Sequence, residues 1–391
     1  MIRVAVLGST GSIGRSALEV VSRHPDRFEV AALVTNRRAD VLAEQVARFH
    51  PRVAVVANGT RPPDVAPATR WETGREAVLA VAARDDVDVV VNALVGAAGL
   101  EPTLTALEAG HRLALANKES LVAGGPLVLQ AAGRGSAEVV PIDSEHSAIL
   151  QCLEGYDRAH VQGITLTASG GPFRGRKPTE LQHVRPSEAL NHPTWDMGAK
   201  ITVDSATLAN KALEVIEAHY LYGFGYDHIH AVVHPQSIVH SFVEFVDGSV
   251  LAQMGFPNME LPILYALSYP ERVEDGALRT WDPVLSSPLT FEAIDDAAFP
   301  LFGMGVAAGR RGGCAPAVYN AGNEIAVQAF LEERISFPEM AEVVQAALDG
   351  VGTHEVHTVE DVLAADAAAR RLARQAAERL GGKAKETGKS A

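Results

Sequence analysis

The sequence predicts an α/β protein that begins with a parallel sheet, continues with a second α/β segment and ends in a helical bundle. Residues 2–7 form an apolar run that leads through a glycine loop into a helical pattern, and similar runs alternate with helical segments to about residue 130. Strands that are apolar on both faces and alternate with helices indicate a parallel sheet covered on both sides. From Ala297 onward, Ala, Leu and Val recur at helical spacing. The 391 residues suggest two or three domains.

The charge balance and the cysteine content restrict the class of protein. The chain has 34 Lys and Arg against 48 Asp and Glu, a net charge of −14. This argues against nucleic acid as a partner, because phosphate backbones need a basic surface, whereas a small anionic substrate needs only a local cluster of cations. The two cysteines, Cys152 and Cys314, suggest no disulfide framework, so we expect a reducing, cytoplasmic location. No apolar run is long enough for a membrane span.

The first predicted domain covers residues 1–134. Apolar runs rich in β-branched residues predict strands, and amphipathic segments between them predict helices. After the first strand, the predicted strands are 28–34, 52–56, 87–91 and 112–116, and the predicted helices are 13–21, 39–49, 74–83 and 98–109.

The second predicted domain covers residues 135–270 and carries a flexible flap at 169–199. Four prolines lie in the flap, and residues 170–198 offer few apolar anchors, so we expect this segment to open at low free-energy cost. Around the flap, the pattern predicts strands at 164–168, 201–203, 230–233 and 238–245 and a helix at 205–219.

The end of the chain predicts a linker and a helical domain. Residues 271–296 are irregular and predict the linker, and residues 297–380 carry helical periodicity. Ser336 and Glu339 form a capping box that predicts a helix start, and a further helix is predicted to begin at Thr358. We expect the polar tail, residues 381–391, to be disordered.

The glycine loop GSTGSIG, residues 8–14, predicts a phosphate site. It follows a strand and opens a helix, where glycines let the backbone approach a pyrophosphate and the helix N-terminus favours negative charge. This context predicts a Rossmann-like dinucleotide domain. The spacing is G-x-x-G-x-x-G and differs from the usual fingerprint by one residue, so a generic glycine-rich turn is the alternative.

The end of the second strand predicts which dinucleotide binds. An NAD site carries an acidic residue there for the ribose 2′-hydroxyl, but this chain has Asn36, Arg37 and Arg38. Two arginines and no acid favour the 2′-phosphate of NADP. The alternative is that both arginines are solvated residues at a helix start.

Three polar residues, Asn117, Lys118 and Glu119, follow a further strand. In open α/β sheets ligands bind at the carboxyl ends of strands, so Lys118 is a candidate to hold a substrate oxygen or phosphate. Asn117 and Glu119 are candidates to reach the nicotinamide ribose. A helix cap is the alternative for such a tripeptide.

Carboxylates predict a metal site. Asp143 and Glu145 lie two residues apart, and an extended segment would place them on one face. A helix would place Asn210, Lys211 and Glu214 on one polar face. Oxygen ligands suit Mg²⁺ or Mn²⁺. The alternatives are helix-start acids for the first pair, and a solvated face with a Lys211–Glu214 pair for the helix.

The flap carries its own candidate residues. Trp195 and Met197 offer apolar cover that would exclude water on closure. A core position is the alternative for Trp195, since a lone tryptophan usually packs inside. His234, in the later segment HPQS, could equally be a histidine of the core.

Together these motifs resemble the 1-deoxy-D-xylulose 5-phosphate reductoisomerases of the non-mevalonate isoprenoid route. Each motif alone is weak, but seven of them in family order between residues 8 and 241 are highly specific. The matching segments are GSTGSIG, NKES, DSEH, SGGPF, HPTWDMG, KITVDSATLANKALEVIEA and HPQSIVHS.

The resemblance implies a fold, an assembly and a reaction. It implies an N-terminal NADPH domain, a central α/β catalytic domain with a flexible flap and a C-terminal helical bundle, assembled as a homodimer. It implies a divalent metal, Mg²⁺, Mn²⁺ or Co²⁺, and a sugar phosphate substrate. The linear ketose phosphate would rearrange to an aldehyde, which NADPH would reduce to 2-C-methyl-D-erythritol 4-phosphate. A retro-aldol and aldol sequence is preferred over a concerted shift.

The resemblance also implies roles for residues. Asp143, Glu145 and Glu214 look like the metal ligands, and Lys118 and His192 look like further catalytic residues. The residues similar to substrate contacts are Lys118, Ser144, Ser169, His192, Trp195, Met197, Ser205, Asn210 and Lys211, of which Ser169, Ser205, Asn210 and Lys211 would surround the phosphate. The cofactor contacts implied by the resemblance are Thr10, Gly11, Ser12, Ile13, Asn117 and Glu119. The glycine loop and the end of the second strand add Gly8, Asn36, Arg37 and Arg38 as candidates.

Two other classes of protein compete with this interpretation. A metal-independent NADP dehydrogenase, such as a semialdehyde dehydrogenase, normally needs a nucleophilic cysteine in a loop, and Cys152 has no such setting. A non-catalytic NADP-sensing protein would need neither the carboxylates nor the flap. Metal-dependent turnover would separate the three classes.

Overall fold

The computed structural model describes residues 1–60, 66–195 and 197–387, with side chains described to residue 382. Its contacts divide the chain into two units. The first unit comprises residues 1–121, 125–151 and 258–280, and the second comprises residues 122–124, 152–257 and the chain from 281 onward.

The secondary structure alternates strands and helices at first and becomes helical towards the end. The strands are β1 Ile2–Leu7, β2 Phe28–Thr35, β3 Val53–Val56, β4 Arg70–Thr73, β5 Val89–Asn92, β6 Arg112–Leu115, β7 Val139–Pro141, β8 Val161–Ala168, β9 Ile229–Val233, β10 Val239–Phe245 and β11 Val250–Met254. The helices are α1 Ser12–Arg23, α2 Ala39–Phe49, α3 Arg75–Ala82, α4 Leu100–Glu108, α5 Lys118–Gly135, α6 Ser144–Leu153, α7 Pro186–Ala189, α8 Ala199–Ala206, α9 Ala209–Tyr222, α10 Glu260–Ser268, α11 Pro300–Arg311, α12 Ala315–Leu331, α13 Glu339–Val351 and α14 Val359–Thr387.

The described part of the first unit holds a seven-stranded parallel sheet in the order β4-β3-β2-β1-β5-β6-β7. Val4 and Val6 on one face of β1, and Ala5 and Leu7 on the other, are fully buried. Both faces of the central strand are therefore covered, as the continuous apolar run predicts. The predicted Rossmann-like α/β fold is confirmed. The sequence did not predict β4, because residues 70–73 are partly exposed at a sheet edge.

The observed units differ from the predicted boundaries at residues 134 and 270. β7 continues the first sheet by pairing in parallel with β6. α10 returns to the same unit and buries Ile263 and Leu267 in its core. The return is reinforced by Arg23, which lies 2.8 Å from both Glu260 and Asp275.

The second unit combines a mixed sheet with helices. Among its described residues the sheet has the strand order β11-β10-β8-β9, with β8 and β9 parallel and β10 antiparallel to both of its neighbours. The predicted strand at 201–203 is wrong, because these residues lie in α8. Three β-branched residues are too few to resist helix formation, and Lys200 and Asp204 form an i, i+4 ion pair along the helix. The predicted helix at 205–219 is two helices, separated at Leu208, whose φ is +58°.

The helices at the end of the chain confirm the predicted C-terminal helical bundle. The Thr358 hydroxyl accepts from the Asp361 N–H at 3.1 Å, and the Asp361 carboxylate accepts from the Thr358 N–H at 2.9 Å, which starts α14. α14 extends to Thr387, whereas the sequence predicts disorder from residue 381. Residues 388–391 lie outside the described residues. Within the described chain, none of the helices combines the length and the apolarity needed to cross a bilayer.

Candidate active site

Glycine is required at two positions of the loop between β1 and α1. Gly8 has φ +86°, and a Cβ there would lie 2.5 Å from the Ala93 carbonyl oxygen. A Cβ on Gly14 would lie 2.3 Å from the Gly8 carbonyl oxygen. α1 begins at Ser12 and has Gly11 as its N-cap, so no side chain covers its first N–H groups. The loop therefore fits a pyrophosphate at a helix N-terminus.

The end of β2 presents exposed arginines beside this loop. Arg37 and Arg38 are both exposed, and residues 35–38 contain no acid. Arg38 Nη1 donates to the Thr10 carbonyl oxygen at 3.2 Å. The Thr10 and Thr35 hydroxyl groups lie 2.7 Å apart, which joins the loop to β2. Arg38 is thus tied to the glycine loop, and the 2′-phosphate contact of both arginines stays a prediction.

Asn117, for which a cap and a cofactor contact were both open, caps α5. Its Oδ1 accepts from the Ser120 N–H at 3.1 Å. Its Nδ2 donates to the carbonyl oxygens of Leu94 at 2.9 Å and Gly96 at 3.1 Å, and lies 3.1 Å from Glu119 Oε2. The Asn117 side chain therefore caps α5 and holds the loop that follows β5. Its contact with the cofactor stays a prediction.

Asp143 and Glu145 lie at the start of α6, so the predicted extended segment is wrong and the helix-start alternative describes their position. Asp143 precedes the first turn and Glu145 belongs to it. Their carboxylate oxygens nevertheless lie within 4.8 Å of each other. Lys118 Nζ lies 2.6 Å from Asp143 Oδ2, and the Ser144 hydroxyl donates to Glu145. The pair presents oxygen donors of the kind that Mg²⁺ prefers.

In the second unit, three predicted substrate residues meet. His192 Nε2 lies 3.0 Å from Ser169 Oγ and 3.1 Å from Ser205 Oγ. On the other side of the ring, Nδ1 accepts from the backbone N–H groups of Thr194 at 3.1 Å and Trp195 at 2.9 Å. Because Nδ1 is an acceptor, the proton of the neutral ring belongs on Nε2.

The environment of His192 keeps its ring neutral. Burial lowers the pKa of His192 below its ordinary value. Protonation would also place a hydrogen on Nδ1, opposite the two backbone donors. The three side chains of Ser169, His192 and Ser205, called the hydroxyl–imidazole cluster below, therefore offer neutral hydrogen-bond donors to an anion.

The turn after β8 brings Ser169 against α8. Gly170 and Gly171 have φ +83° and +65°, which glycine adopts without strain. A Cβ on Gly171 would lie 2.7 Å from the Ser205 carbonyl oxygen. Glycine at residue 171 thus allows the turn to approach the helix that carries Ser205.

α9 places the remaining candidate residues on one turn. Asn210 and Lys211 both donate to the Glu214 carboxylate. The predicted Lys211–Glu214 pair exists, but the solvated-face alternative is wrong because both side chains are buried. Burial, together with smaller effects of Lys211 and His234, lowers the pKa of the neighbouring His240 to about 4. The buried turn thus carries a cation, a carboxylate and an amide.

The flap is anchored over much of its length, which corrects the prediction that it buries little. Phe173, Leu181, Val184 and Ala189 are all buried. In the described part of residues 190–198, Trp195 and Met197 are partly exposed, so Trp195 does not occupy a fully buried position. Asp196 lies outside the described residues.

Two polar residues near these positions were not predicted from the sequence. Asn58 Nδ2 donates to Asn36 Oδ1 at 2.8 Å, beside the arginines. Asp204 is buried directly before Ser205. The position of Asn58 after an apolar strand was an available signal. The i, i+4 spacing of Lys200 and Asp204 was another, but the false strand at 201–203 concealed it.

Comparison with known proteins covers nearly the whole chain. Family models described as 1-deoxy-D-xylulose 5-phosphate reductoisomerase match residues 4–125, and models of its C-terminal domains match residues 139–222 and 254–372. A reductoisomerase of Paraburkholderia phytofirmans is 48% identical over 98% of this chain and 98% of its own. One of Microcystis aeruginosa is 47% identical over 95% and 97%.

Solved structures agree with the sequence matches. The reductoisomerase from Zymomonas mobilis in complex with NADPH superposes with a TM-score of 0.90 and 39% identity, over 97% of this chain and all of that one. A reductoisomerase with NADPH, fosmidomycin and magnesium gives 0.90 and 40%, over 97% and 99%. The chain therefore belongs to the 1-deoxy-D-xylulose 5-phosphate reductoisomerase family.

Proposed function

We propose that this protein converts 1-deoxy-D-xylulose 5-phosphate to 2-C-methyl-D-erythritol 4-phosphate by an isomerisation and an NADPH-dependent reduction that requires a divalent metal. The observation that carries this proposal is the hydroxyl–imidazole cluster, formed by residues of three family motifs. Membership in a family with solved complexes of NADPH and magnesium supports both cofactors.

The first unit binds NADPH. The glycine loop, residues 8–14, receives the pyrophosphate at the start of α1, where Thr10, Gly11, Ser12 and Ile13 line the approach. Arg37 and Arg38 bind the 2′-phosphate. Burial of the nicotinamide and orientation of its hydride are the protein's contribution to the reduction.

Asp143, Glu145 and Glu214 hold the divalent metal. Each lies in a segment that matches a family motif, and the carboxylate oxygens of Asp143 and Glu145 lie within 4.8 Å of each other at the start of α6. When bound, the ion acts as a Lewis acid and a template for two substrate oxygens. Within the chain, Lys118 pairs with Asp143 and Lys211 pairs with Glu214, so the two lysines offset the charge of these carboxylates.

The second unit binds the substrate phosphate. Neutral donors from the hydroxyl–imidazole cluster, with Asn210 and Lys211 from α9, satisfy its oxygens. His192 also connects this cluster to the flap, because the N–H groups of Thr194 and Trp195 bond to its ring. Substrate binding and flap closure are thereby coupled, and closure of Trp195 and Met197 excludes water from the aldehyde.

The test is NADPH oxidation by the purified protein with 1-deoxy-D-xylulose 5-phosphate as substrate. We expect turnover that EDTA abolishes and Mg²⁺ or Mn²⁺ restores. Glu214→Gln should lose most turnover and keep NADPH binding. The matched control is Glu324→Gln, which alters a partly buried helical carboxylate paired with Arg370 and should keep the metal response. Turnover that EDTA does not affect would contradict the proposal.

We further propose that two copies form a homodimer through the β11 edge of the second sheet. β11 pairs only with β10 among the described strands, and its other edge offers backbone groups to a second chain. Val250 and Leu251 in this strand are 55% and 36% exposed. Apolar side chains beside an open strand are a typical surface for a two-fold contact.

The mass in solution tests the dimer. Val250→Lys should shift the protein towards the monomer in light scattering, because it places a charge at the proposed contact. Val284→Lys changes a valine that is even more exposed, in a loop, and should leave the mass unchanged. A monomeric parent protein would contradict the proposal.

The negative net charge and the two buried, free cysteines support a cytoplasmic protein that does not bind nucleic acid.

A further inference from the structure

The buried carboxylate of Asp204 joins α8 to α12 within the second unit. Oδ1 accepts from Asn323 Nδ2 at 2.7 Å. Oδ2 lies 2.9 Å from Lys200 Nζ, one turn earlier in α8. The side chain of Asp204 is 1% exposed and that of Lys200 is 25% exposed. Because an unpaired buried charge is costly, the two partners confine the carboxylate and the helix that carries it.

A phenol, that of Tyr319, also lies near the Asp204 carboxylate. Burial raises the pKa of Tyr319, and the nearby Asp204 carboxylate raises it further. The Tyr319 hydroxyl donates to the Leu301 carbonyl oxygen at 2.8 Å, so it does not solvate the carboxylate. Asn323 and Lys200 are therefore the groups that compensate the negative charge of Asp204.

The backbone of Asp204 fixes the turn into α9. The Thr207 hydroxyl donates to the Asp204 carbonyl oxygen at 3.2 Å and accepts from the Ala209 N–H at 3.3 Å. Between them Leu208 adopts a left-handed conformation. Asn210 and Lys211 follow immediately, so the placement of their turn depends on the placement of α8.

Asp204 is also close in sequence to two parts of the proposed phosphate site, Ser205 and the end of the flap. Ser205, the next residue, contacts the His192 ring. Lys200 lies three residues after Met197, where the flap enters α8, and the Thr202 hydroxyl donates to the Gly198 carbonyl oxygen at 3.0 Å. A shift of α8 would therefore move Ser205 and the end of the flap together.

We propose that Asp204 is a positioning residue for binding of the substrate phosphate, acting through Ser205 and the start of α9. Its pair with Asn323 uses the helical bundle as a fixed reference for α8. The inference rests on the proposed function, because it assigns the phosphate of the ketose phosphate to this site. Asp204 itself touches neither substrate nor cofactor in this assignment.

Asp204→Asn keeps the shape of the side chain and removes its charge. A misplaced hydrogen bond to a charged group can cost about tenfold or more in affinity. The phosphate contacts are the same in the ground state and the transition state, so the loss should fall on KM. We expect KM for the ketose phosphate to rise at least about tenfold while kcat changes less than about threefold. The Kd of NADPH should not change, since its loop belongs to the first unit.

A charge-relocating double variant tests the network itself. In Asp204→Asn with Asn323→Asp, the amide and the carboxylate exchange places, and the residue-204 amide can donate to the new carboxylate and accept from Lys200. We expect the double variant to recover most of the KM lost in the single variant. General damage to packing would instead leave the double variant as poor as the single one.

A matched control separates positioning from stability. Asp366 is a partly buried carboxylate that lies 2.6 Å from Arg370 at i, i+4 spacing, and Arg370 in turn pairs with Glu324 of α12. Asp366→Asn should lower Tm and leave KM unchanged. If Asp204→Asn does not fold, the more exposed Lys200→Gln decides, with an expected rise in KM of at least about threefold.

The outcomes are distinguishable from those of the proposed function. If the unaltered protein oxidises NADPH with the ketose phosphate, the function stands whatever the variants show. An unchanged KM in Asp204→Asn, an equal KM change in Asp366→Asn, or no recovery in the double variant would overturn the positioning role of Asp204.

Discussion

Truncating two aromatic residues of the flap, Phe173 and Trp195, should give opposite results. Phe173 is fully buried, and its ring lies 5.0 Å from that of Phe337 in an edge-to-face arrangement. Removing a buried phenylalanine costs about 3–5 kcal/mol of unfolding free energy. For a unit of this size, that corresponds to a fall in Tm on the order of 10 °C. Trp195 is partly exposed, so Trp195→Ala should cost less stability, about 1 kcal/mol.

The assay compares thermal unfolding with initial rates for both variants. Phe173→Ala should lower Tm strongly, and its remaining folded fraction should bind NADPH normally. Trp195→Ala should keep Tm and NADPH affinity but lower turnover, because the flap then covers the site poorly. Equal losses of Tm in the two variants, or full turnover in Trp195→Ala, would refute the division of the flap into an anchored part and a covering part.

Three further predictions concern the cofactor, the glycine turn and acid stability. Replacing Arg37 and Arg38 by Ser should narrow the kinetic preference for NADPH over NADH, and equal use of both cofactors by the unaltered protein would contradict the charge argument. Gly171→Ala should raise the substrate KM and lower the free energy of unfolding by about 1–3 kcal/mol, as measured by urea unfolding. The control is Gly175→Ala, which is also at positive φ but in open space, and should lower stability without changing KM. Because the pKa of His240 is about 4 when folded and about 6.5 when unfolded, its neutral form stabilises the protein above pH 6.5, and this contribution is lost as the pH falls to about 4. The difference corresponds to about 3 kcal/mol, so His240→Asn should flatten acid unfolding in that range, and an unchanged pH profile would contradict burial as its cause.

The first sheet was predictable because its signals are local and agree with each other. Each buried strand, such as β1, is a continuous apolar run, and the glycine loop marks the turn into α1. β4 was missed because its residues are polar and partly exposed, so neither composition nor periodicity marks it. The boundary at residue 134 differs from the observed division because parallel pairing of β7 with β6 is a long-range contact that no local pattern encodes.

The motifs did not predict the local structure around several candidate site residues. The strand predicted at 201–203 rested on intrinsic β preference, which the ion pair of Lys200 with Asp204 and the packing of α8 overrode. Asp143 and Glu145 were expected in an extended segment, yet the start of a helix also brings their carboxylates together. The proton position on His192 depends on two backbone donors and was inaccessible from sequence. The roles of these residues in binding stay predictions until the variants are measured.

The central claim is that the protein rearranges a carbon skeleton as well as transferring a hydride. The most direct measurement is carbon-13 NMR of the product formed from labelled 1-deoxy-D-xylulose 5-phosphate with NADPH and Mg²⁺. The account predicts the branched 2-C-methyl-D-erythritol 4-phosphate, with one NADPH oxidised for each substrate consumed. A straight-chain deoxypentitol phosphate would show reduction without rearrangement, and would contradict the account.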